Sequence, residues 1–347
     1  MKGSEFLKQV MDVRNPQLSK LALAEMLRGS EPAFLDERVP CFTEAAIDGV
    51  HYRCDYMVKP NYLAVGDDGD FILWPLTIID LQAYCDAHVM TGSDPSDVTP
   101  KFFIPPKKLI FNNWYFSECK IAPQALGASN DMTWPLKINA EQDRINAAMQ
   151  AAGCSVRAFS RAKKAYISAP NMSDKGGPTN EGVLHFTGWY NKDGTCIQCG
   201  DATGGHEASY ADYSHGCDVI YYNVTINGLQ YNFDEVCNHP KLWPLVSDQG
   251  AFNPRFPNVG PNAKPARQNL QMPPGDPPPA DYKGPVFASV GGNVQMTSPG
   301  DLPSAAEVAA SVDSASTSPA TLVLGVGAAA AGAYLLYRLL KSPSFPY

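Results

Sequence analysis

The chain has 347 residues, with 30 prolines, 28 glycines and a formal net charge of −8 at pH 7. This length accommodates two ordinary domains, or one large domain with appendages. A general nucleic-acid-binding protein needs a basic face that neutralises phosphates. Neither the net charge nor any long basic run provides such a face, so the composition argues against a nucleic-acid partner.

Nine cysteines are scattered through the chain. An odd number spread over this length is poor evidence for a full disulfide framework. The N-terminal residues contain no apolar stretch as long as a secretory signal requires. Both observations favour synthesis and folding in a reducing cytosol, where one or two disulfides could still form later.

The first half of the chain predicts helices around one short hairpin. Apolar residues recur at helical spacing over residues 4–27, and Pro16 interrupts them, so we expect two short helices. Thr77 is a suitable N-cap for a helix over residues 77–88. The other expected elements are an extended, turn-rich segment (31–62), two short paired strands (62–66 and 71–75), and a helix over 141–152 that Gly153 ends.

From residue 183 onward the apolar period changes to two, which is typical of strands. Turn residues at 191–194 and at Asn227-Gly228 each separate two such segments, and the second pair is a type I′ turn signal. The expected strands are 183–190 with 195–199, and 219–226 with 229–233. A helical first part followed by a hairpin-rich antiparallel part predicts an α+β fold rather than alternating α/β.

The composition changes after residue 250, so we expect one globular domain over residues 1–250. Prolines then punctuate residues 251–319, which contain few large aliphatic side chains. Such a segment predicts an extended linker rich in Pro, Ala and Ser, a stalk that is partly polyproline II.

The stretch 320–341 predicts a single transmembrane helix, followed by a short tail at 342–347. A membrane span needs about 20 mostly apolar residues, a length that this stretch barely reaches. Its small residues, from Gly325 to Gly332, suit helix self-association in a lipid membrane. The alternative is a buried helix of a soluble domain, although the long linker isolates it from any core. The membrane orientation stays open, because the basic C-terminal side favours a cytoplasmic tail but the large domain has no export signal.

The densest cluster of reactive side chains lies at residues 204–217, between two predicted hairpins, where loops commonly display functional groups. A histidine can act as a general base near neutral pH, with a carboxylate fixing its tautomer. Ser214 and His215 would point to opposite faces of a strand, so Ser214 would pair with His206 instead. The expected catalytic residues are His206 and His215 as acid/base groups, Asp212 as orienting group and Ser214 as hydroxyl or nucleophile. The expected substrate-binding residues are Tyr210, Tyr213 and Trp189.

Two alternatives stay open for these side chains. The polar groups of the cluster could simply hydrogen-bond one another and the loop backbone. Cys196 and Cys199 have a spacing that suits zinc, but no second ligand pair with regular spacing follows. We therefore expect no metal and no cofactor, and buried free thiols are the plain explanation for these cysteines.

Three stretches carry a further pattern: PNYLAVG at 60–66 with Asp70-Phe71 and PLT at 75–77; Gly188-Trp189 with Asp193-Gly194, Ile197-Gln198, His206, Tyr210 and DYSHG at 212–216; and LVSDQG at 245–250. The pattern resembles a family of largely uncharacterised bacterial and phage proteins, and it spans most of residues 50–250. DYSHG is its most specific part. Members often carry Pro at the position of Cys199, and His-Lys-Lys-Asp where this chain has AKKA at 162–165. They are often secreted or phage-encoded, which implies an envelope setting.

The site cluster, the stalk and the anchor together predict a membrane-anchored, phage-type envelope hydrolase that acts on a cell-wall polymer. The alternative is a non-catalytic structural or attachment protein of a virion or cell envelope, displaying a binding domain on a stalk. The geometry of the cluster distinguishes the two. An open pocket would favour the enzyme, and buried, mutually bonded side chains would favour the structural protein.

Overall fold

A computed structural model describes residues 1–91, 98–127, 131–168, 186–198, 208–255, 272–290 and 293–296. The helices are α1 (Gly3–Val10), α2 (Gln17–Leu27), α3 (Ile78–Ala87), α4 (Lys107–Phe116), α5 (Pro135–Ala151) and α6 (Phe233–Asn238), with short 3-10 helices at Ala33–Asp36 and Trp243–Leu245. The strands are β1 (Val39–Ile47), β2 (Val50–Val58), β3 (Ala64–Asp67), β4 (Asp70–Leu73), β5 (Val89–Thr91), β6 (Val98–Pro100), β7 (Phe102–Phe103), β8 (Lys164–Tyr166), β9 (Phe186–Tyr190), β10 (Cys196–Gln198), β11 (His215–Gly216), β12 (Ile220–Tyr221), β13 (Asn223–Ile226), β14 (Leu229–Asn232), β15 (Val286–Val290) and β16 (Asn293–Met296).

The larger sheet has the strand order β14-β13-β2-β1-β15-β16, and β12 pairs with both β2 and β7. Its centre is the β1–β2 hairpin, in which nine residues of each strand pair antiparallel from Val39 opposite Val58 to Ile47 opposite Val50. Apolar residues of α4 and α6 pack against this sheet and form one core. Helices packed on a mainly antiparallel sheet confirm the predicted α+β class.

A second, smaller sheet has the order β10-β9-β8-β11, in which β8 and β11 run parallel. A core of its own connects this sheet to α1, α2, α3 and the β3–β4 hairpin. Phe6 of α1 meets Trp74 edge to face at 4.9 Å between ring centroids. The N-terminal helices therefore pack on the β3–β4 hairpin and on α3 rather than forming a separate unit.

Several local signals in the sequence are confirmed. Pro16 separates α1 from α2, and the Thr77 side chain accepts a hydrogen bond from the backbone N–H of Asp80 at the start of α3. Asn227 and Gly228 adopt positive φ angles of 45° and 85° between β13 and β14. These features depend on a few neighbouring residues, which is why the sequence alone reveals them.

Three elements differ from the expectation. Segment 31–62, expected only to be extended, contains the longest hairpin, and α5 begins at Pro135 rather than at 141. Helix α4 was not predicted. Its sequence, KKLIFNNWYF, is rich in aromatic and asparagine residues with modest helix propensity, so packing against the larger sheet stabilises it.

The end of the folded domain also differs from the expected boundary at residue 250. Strand β15 pairs parallel with β1, placing Ala46 opposite Val286, and β16 extends the same sheet. Phe287 is 3% exposed and meets Trp243 edge to face at 5.7 Å. Part of the predicted linker therefore belongs to the sheet, because the apolar run at 286–290 can bury Phe287 although the surrounding composition is rich in proline.

Cys119 and Cys154 form a disulfide that joins the segments following α4 and α5. Cys41, Cys54, Cys85, Cys217 and Cys237 are free and buried. Disulfides persist mainly in oxidising compartments. The Cys119–Cys154 bond is one of the one or two disulfides that the sequence interpretation allowed to form after folding in the cytosol.

Within the described ranges, no helix combines the length and the apolar character that crossing a membrane requires. The predicted anchor at 320–341, the tail at 342–347 and the linker beyond residue 296 lie outside these ranges.

Phe287 tests whether the strand after residue 250 is part of the folded domain. Replacing it with Ala should lower the free energy of unfolding by about 3 kcal/mol, because the substitution leaves a cavity beside Trp243. Leu229 on β14 is 48% exposed, and Leu229→Ala should cost less than about 0.5 kcal/mol. Denaturant unfolding of both full-length variants measures the difference. If both substitutions lower the free energy of unfolding by equally small amounts, the strand containing Phe287 does not belong to the folded domain, which then ends at residue 250 as predicted.

Candidate functional site

The DYSHG string leads into β11, which pairs in parallel with β8. His215 stands opposite Lys164 and Gly216 opposite Ala165. The backbone N–H of Lys164 donates to the carbonyl oxygen of Ser214 at 2.9 Å. The string is therefore fixed by a strand ladder in the smaller sheet rather than carried on an open loop.

Asp212 closes a tight turn just before this strand. Its Oδ1 accepts hydrogen bonds from the backbone N–H of Ser214, at 2.8 Å, and from the Ser214 hydroxyl. Its Oδ2 accepts a bond from the hydroxyl of Tyr210 at 3.1 Å. An Asp side chain that accepts from the backbone two residues later is a standard turn-forming arrangement.

His215 is fully buried in a box of aromatic rings. The centroids of Tyr166, Phe186 and Tyr210 lie 5.0, 5.1 and 5.9 Å from that of its imidazole. Its Nδ1 accepts the backbone N–H of Asp212 at 3.2 Å and lies 3.1 Å from the Tyr166 hydroxyl. An accepting Nδ1 leaves the proton of the neutral ring on Nε2.

The two remaining residues of the string fill space. The ring of Tyr213 is 1% exposed, and its hydroxyl accepts the backbone N–H of Leu126 at 2.9 Å. A Cβ at Gly216 would stand 2.6 Å from the ring of Tyr62, closer than any side chain tolerates. Tyr213 therefore belongs to the core instead of lining a pocket, and position 216 has to be glycine.

The charge of Asp212 is stabilised by its surroundings. Burial alone would raise the pKa of this carboxyl group. The positive charge of Lys164 favours the ionised form, as do the hydrogen bonds from Ser214, and the pKa lies well below its usual range. Burial lowers the pKa of Lys164, which Asp212 partly opposes. A carboxylate with so low a pKa is a weak base, so it is a poor acceptor for the proton of a serine hydroxyl.

The other predicted site residues are distributed as follows. Trp189 is 7% exposed, and its ring centroid lies 5.2 Å from the ammonium of Lys164. Cys196 is engaged in a disulfide, so its thiolate is not available to a metal. His206 and Cys199 lie outside the described residues. The structure therefore brings together Asp212, Ser214 and His215, and their relation to His206 stays a prediction.

A buried ion pair near this string escaped the sequence interpretation. Arg161 and Asp218 bond at two points, Nε to Oδ2 and Nη2 to Oδ1, each at 2.9 Å. Asn113 donates to the same carboxylate at 2.9 Å, and Tyr56 donates to Asn113 at 3.0 Å. Asp218 lies two residues after DYSHG, and this closeness was the one signal in the sequence that pointed to its position near the string. Arg161 begins a basic run that resembles a solvated surface.

Cys217, the residue directly after the string, is not a reactive thiol. Its sulfur accepts the backbone N–H of Leu76 at 3.1 Å, and the side chain is fully buried. Burial raises the pKa of this thiol to about 12. The thiolate, the nucleophilic form, is therefore scarce near neutral pH.

The chemistry open to this cluster is limited by access and by bonding. Asp212, Ser214 and His215 are 3%, 1% and 0% exposed. The serine hydroxyl donates to the carboxylate of Asp212 and not to the imidazole of His215, so these two described residues do not form the pairing that activates a nucleophilic serine. Two surface cavities, of about 270 and 480 Å³, are lined by other residues. Among the described residues, the arrangement braces the turn at Asp212 and the start of β11.

The chain matches no protein-family model, no curated protein and no solved structure at a significant level.

Asp212→Asn tests the electrostatic role of the turn. The pKa of Asp212 is lower in the folded chain than the unfolded value of about 3.9, so its charge stabilises the fold above that pH. This stability disappears as the pH falls through the folded pKa. The variant should be less stable at neutral pH by about 1–3 kcal/mol. It should also lose less stability than the parent between about pH 7 and about pH 3.

Denaturant unfolding across this pH range measures both effects. Asp143→Asn is the matched control, because Asp143 is exposed on α5 and accepts one side-chain bond from Asn139. The control should change neither the stability nor its pH dependence. Identical acid sensitivity in Asp212→Asn and the parent would contradict the assigned role.

Proposed function

We propose that the folded part of this chain is a non-catalytic binding or structural unit displayed at a cell or virion envelope. The environment of Asp212, Ser214 and His215 supports this most directly. These side chains are buried and bonded to one another, to neighbouring side chains and to the backbone. A catalytic group has to reach its substrate. Groups that close a turn and fill a core do not.

The display arrangement is proposed from the C-terminal sequence. A stalk that begins within residues 251–319 and continues beyond β16 would separate the domain from an anchor at 320–341. Clustered small residues in this anchor would allow self-association in the lipid membrane. The Cys119–Cys154 disulfide supports exposure to an oxidising compartment, as at an envelope.

Deleting residues 320–347 tests the anchor. The truncated chain should stay soluble without detergent and keep the thermal midpoint of the full chain, because the described strands of the larger sheet all end by residue 296. Deleting only 342–347 is the control, and that protein should still require detergent. Sedimentation with and without detergent and thermal unfolding give the two readouts. A full chain that is monomeric without detergent, or a destabilised truncated domain, would show that the helix packs on the domain instead.

A hydrolase acting on a cell-wall polymer is the second candidate. One observation favours it: the carboxylate of Asp212 is kept ionised beside an imidazole, as in sites where a carboxylate orients a histidine. In that case His206 and His215 would supply acid and base, Ser214 the hydroxyl, and Tyr210, Tyr213 and Trp189 the contacts to the polymer. This candidate requires the aromatic box around His215 to open when the polymer binds.

Incubating the full chain with purified cell-wall sacculi separates the two candidates. For a binding unit, we expect the protein to sediment with the sacculi and to release no soluble sugars or amines. Ser214→Ala should bind as the parent does, because the hydroxyl only reinforces the turn. Its stability should fall by about 1–2 kcal/mol.

The hydrolase predicts a different result in the same experiment. Soluble fragments would accumulate with time, and their release would stop in Ser214→Ala although this variant stays folded. That outcome would replace the binding function with the enzyme. A folded parent chain that neither sediments with sacculi nor releases fragments would overturn both candidates.

A further inference from the structure

A proline-rich segment, residues 272–285, crosses the turn end of the β1–β2 hairpin before the chain enters β15. Its first half is attached there through the backbone. The backbone N–H of His51 donates to the carbonyl oxygen of Asp276 at 2.8 Å. A Cβ at Gly275 would stand 2.3 Å from the side chain of Val50. The segment therefore lies directly against the hairpin at this point.

The segment is attached a second time near its other end. The ring of Tyr282 meets that of His51 edge to face, at 4.9 Å between the centroids. The Tyr282 hydroxyl donates to the carbonyl oxygen of Pro285 at 3.1 Å, and the same oxygen accepts the backbone N–H of Ala46 on β1 at 3.0 Å. Residues 277–279, between the two attachments, are therefore held from both sides.

Residues 277–279 are three consecutive prolines, and we call them the proline ridge. Each proline ring fixes its own φ at about −65°. A residue that precedes a proline is also disfavoured in the helical region. Both restrictions act on Pro277 and Pro278, and the peptide bonds before all three prolines are trans. The favoured conformation of the ridge is therefore polyproline II.

The proline ridge is open to solvent and carries unused hydrogen-bond acceptors. Pro277 and Pro279 are exposed, and Pro278 is half-buried. Prolines have no backbone N–H, so the ridge backbone can only accept. The carbonyl oxygen of Pro279 accepts the backbone N–H of Tyr282 at 2.9 Å, whereas no described donor reaches that of Pro277 or Pro278. A partner would therefore contact proline rings and supply its own donors.

Acidic side chains stand on both sides of the proline ridge along the chain. Asp276 directly precedes it and Asp281 lies two residues after it, and both side chains are exposed. Neither carboxylate is bonded to a described residue. The nearest cation in the sequence is Lys283, which is also exposed. A partner with basic groups beside its binding surface gains from the two carboxylates.

We propose that the proline ridge is a docking site for a protein domain that binds polyproline II segments in an aromatic-lined groove with a basic rim. Such grooves accept proline-rich segments because the preformed conformation loses little entropy on binding. The two attachments to the hairpin reduce this entropy loss further. Aromatic rings of the groove pack on Pro277 and Pro279, and its donors reach the open carbonyl oxygens. This surface goes beyond the proposed function, because it requires neither a cell-wall polymer nor the anchor.

Two forms of a WW domain test the partner class on the full chain, kept in detergent. One form recognises runs of proline and carries Lys and Arg around its aromatic groove. The other is the same domain with these rim residues replaced by Glu. Fluorescence anisotropy of each dye-labelled domain gives its affinity. We expect the basic form to bind about fivefold or more tightly than the acidic form. High salt should reduce this difference, because it screens exposed charges.

Substitutions of exposed residues test the site. Pro277→Ala and Pro279→Ala should each weaken binding of the basic form about fivefold, because each removes a ring and loosens the backbone. Asp281→Asn should weaken it about twofold, because one attractive charge is lost. Pro240→Ala is the matched control, since Pro240 is exposed and lies outside the segment. The control should bind as the parent does. Unchanged thermal midpoints establish that each variant is folded.

The proposal is overturned if neither form binds the folded full chain, or if Pro277→Ala and Pro279→Ala bind as the control does. Equal affinity of the two forms overturns the basic rim. A synthetic peptide of residues 272–285 provides a further comparison. We expect the full chain to bind at least as tightly as the peptide, because its ridge is already held in place. Tighter binding by the peptide would show that the folded domain hides the ridge, and the docking surface would be wrong.

Discussion

Arg161 and Asp218 bond at two points with almost no access to solvent, and the junction of the two sheets depends on this pair. Taking two charges out of water costs several kcal/mol, so such a pair persists only where every remaining donor and acceptor is satisfied. The guanidinium also donates to the carbonyl oxygens of Lys59, Pro60 and Ser160, which fixes the end of β2. The carboxylate in turn receives a bond from α4.

This pair also constrains the DYSHG string, because Asp218 stands two residues beyond Gly216. The string is fixed at its other end by the turn at Asp212 and in its middle by pairing with β8. A segment bound at both ends positions its side chains accurately but gives them little freedom. The residues most suggestive of catalysis thereby connect the core of the smaller sheet to the ion pair, and this supports the structural assignment over the hydrolase.

The available binding chemistry lies where the fold leaves groups exposed. Beside α4, the buried rings of Tyr190 and Trp114 support the ring of Phe111, which is 42% exposed. A site of this kind places little demand on proton transfer.

The sequence by itself determined the features that neighbouring residues control. The break at Pro16, the cap at Thr77 and the turn at Asn227-Gly228 follow from local backbone preferences, and the change in apolar period determined the α+β class. Only the tertiary structure decided which polar residues are buried. Lys163 and Lys164 resemble a solvated basic run, yet they are 1% and 6% exposed, because distant segments cover them. The sequence likewise did not determine whether the DYSHG side chains are buried or exposed. Whether Ser214 faces a substrate or a core depends on contacts such as the Tyr62 ring against Gly216, and no local pattern encodes a contact between residues so far apart in the chain.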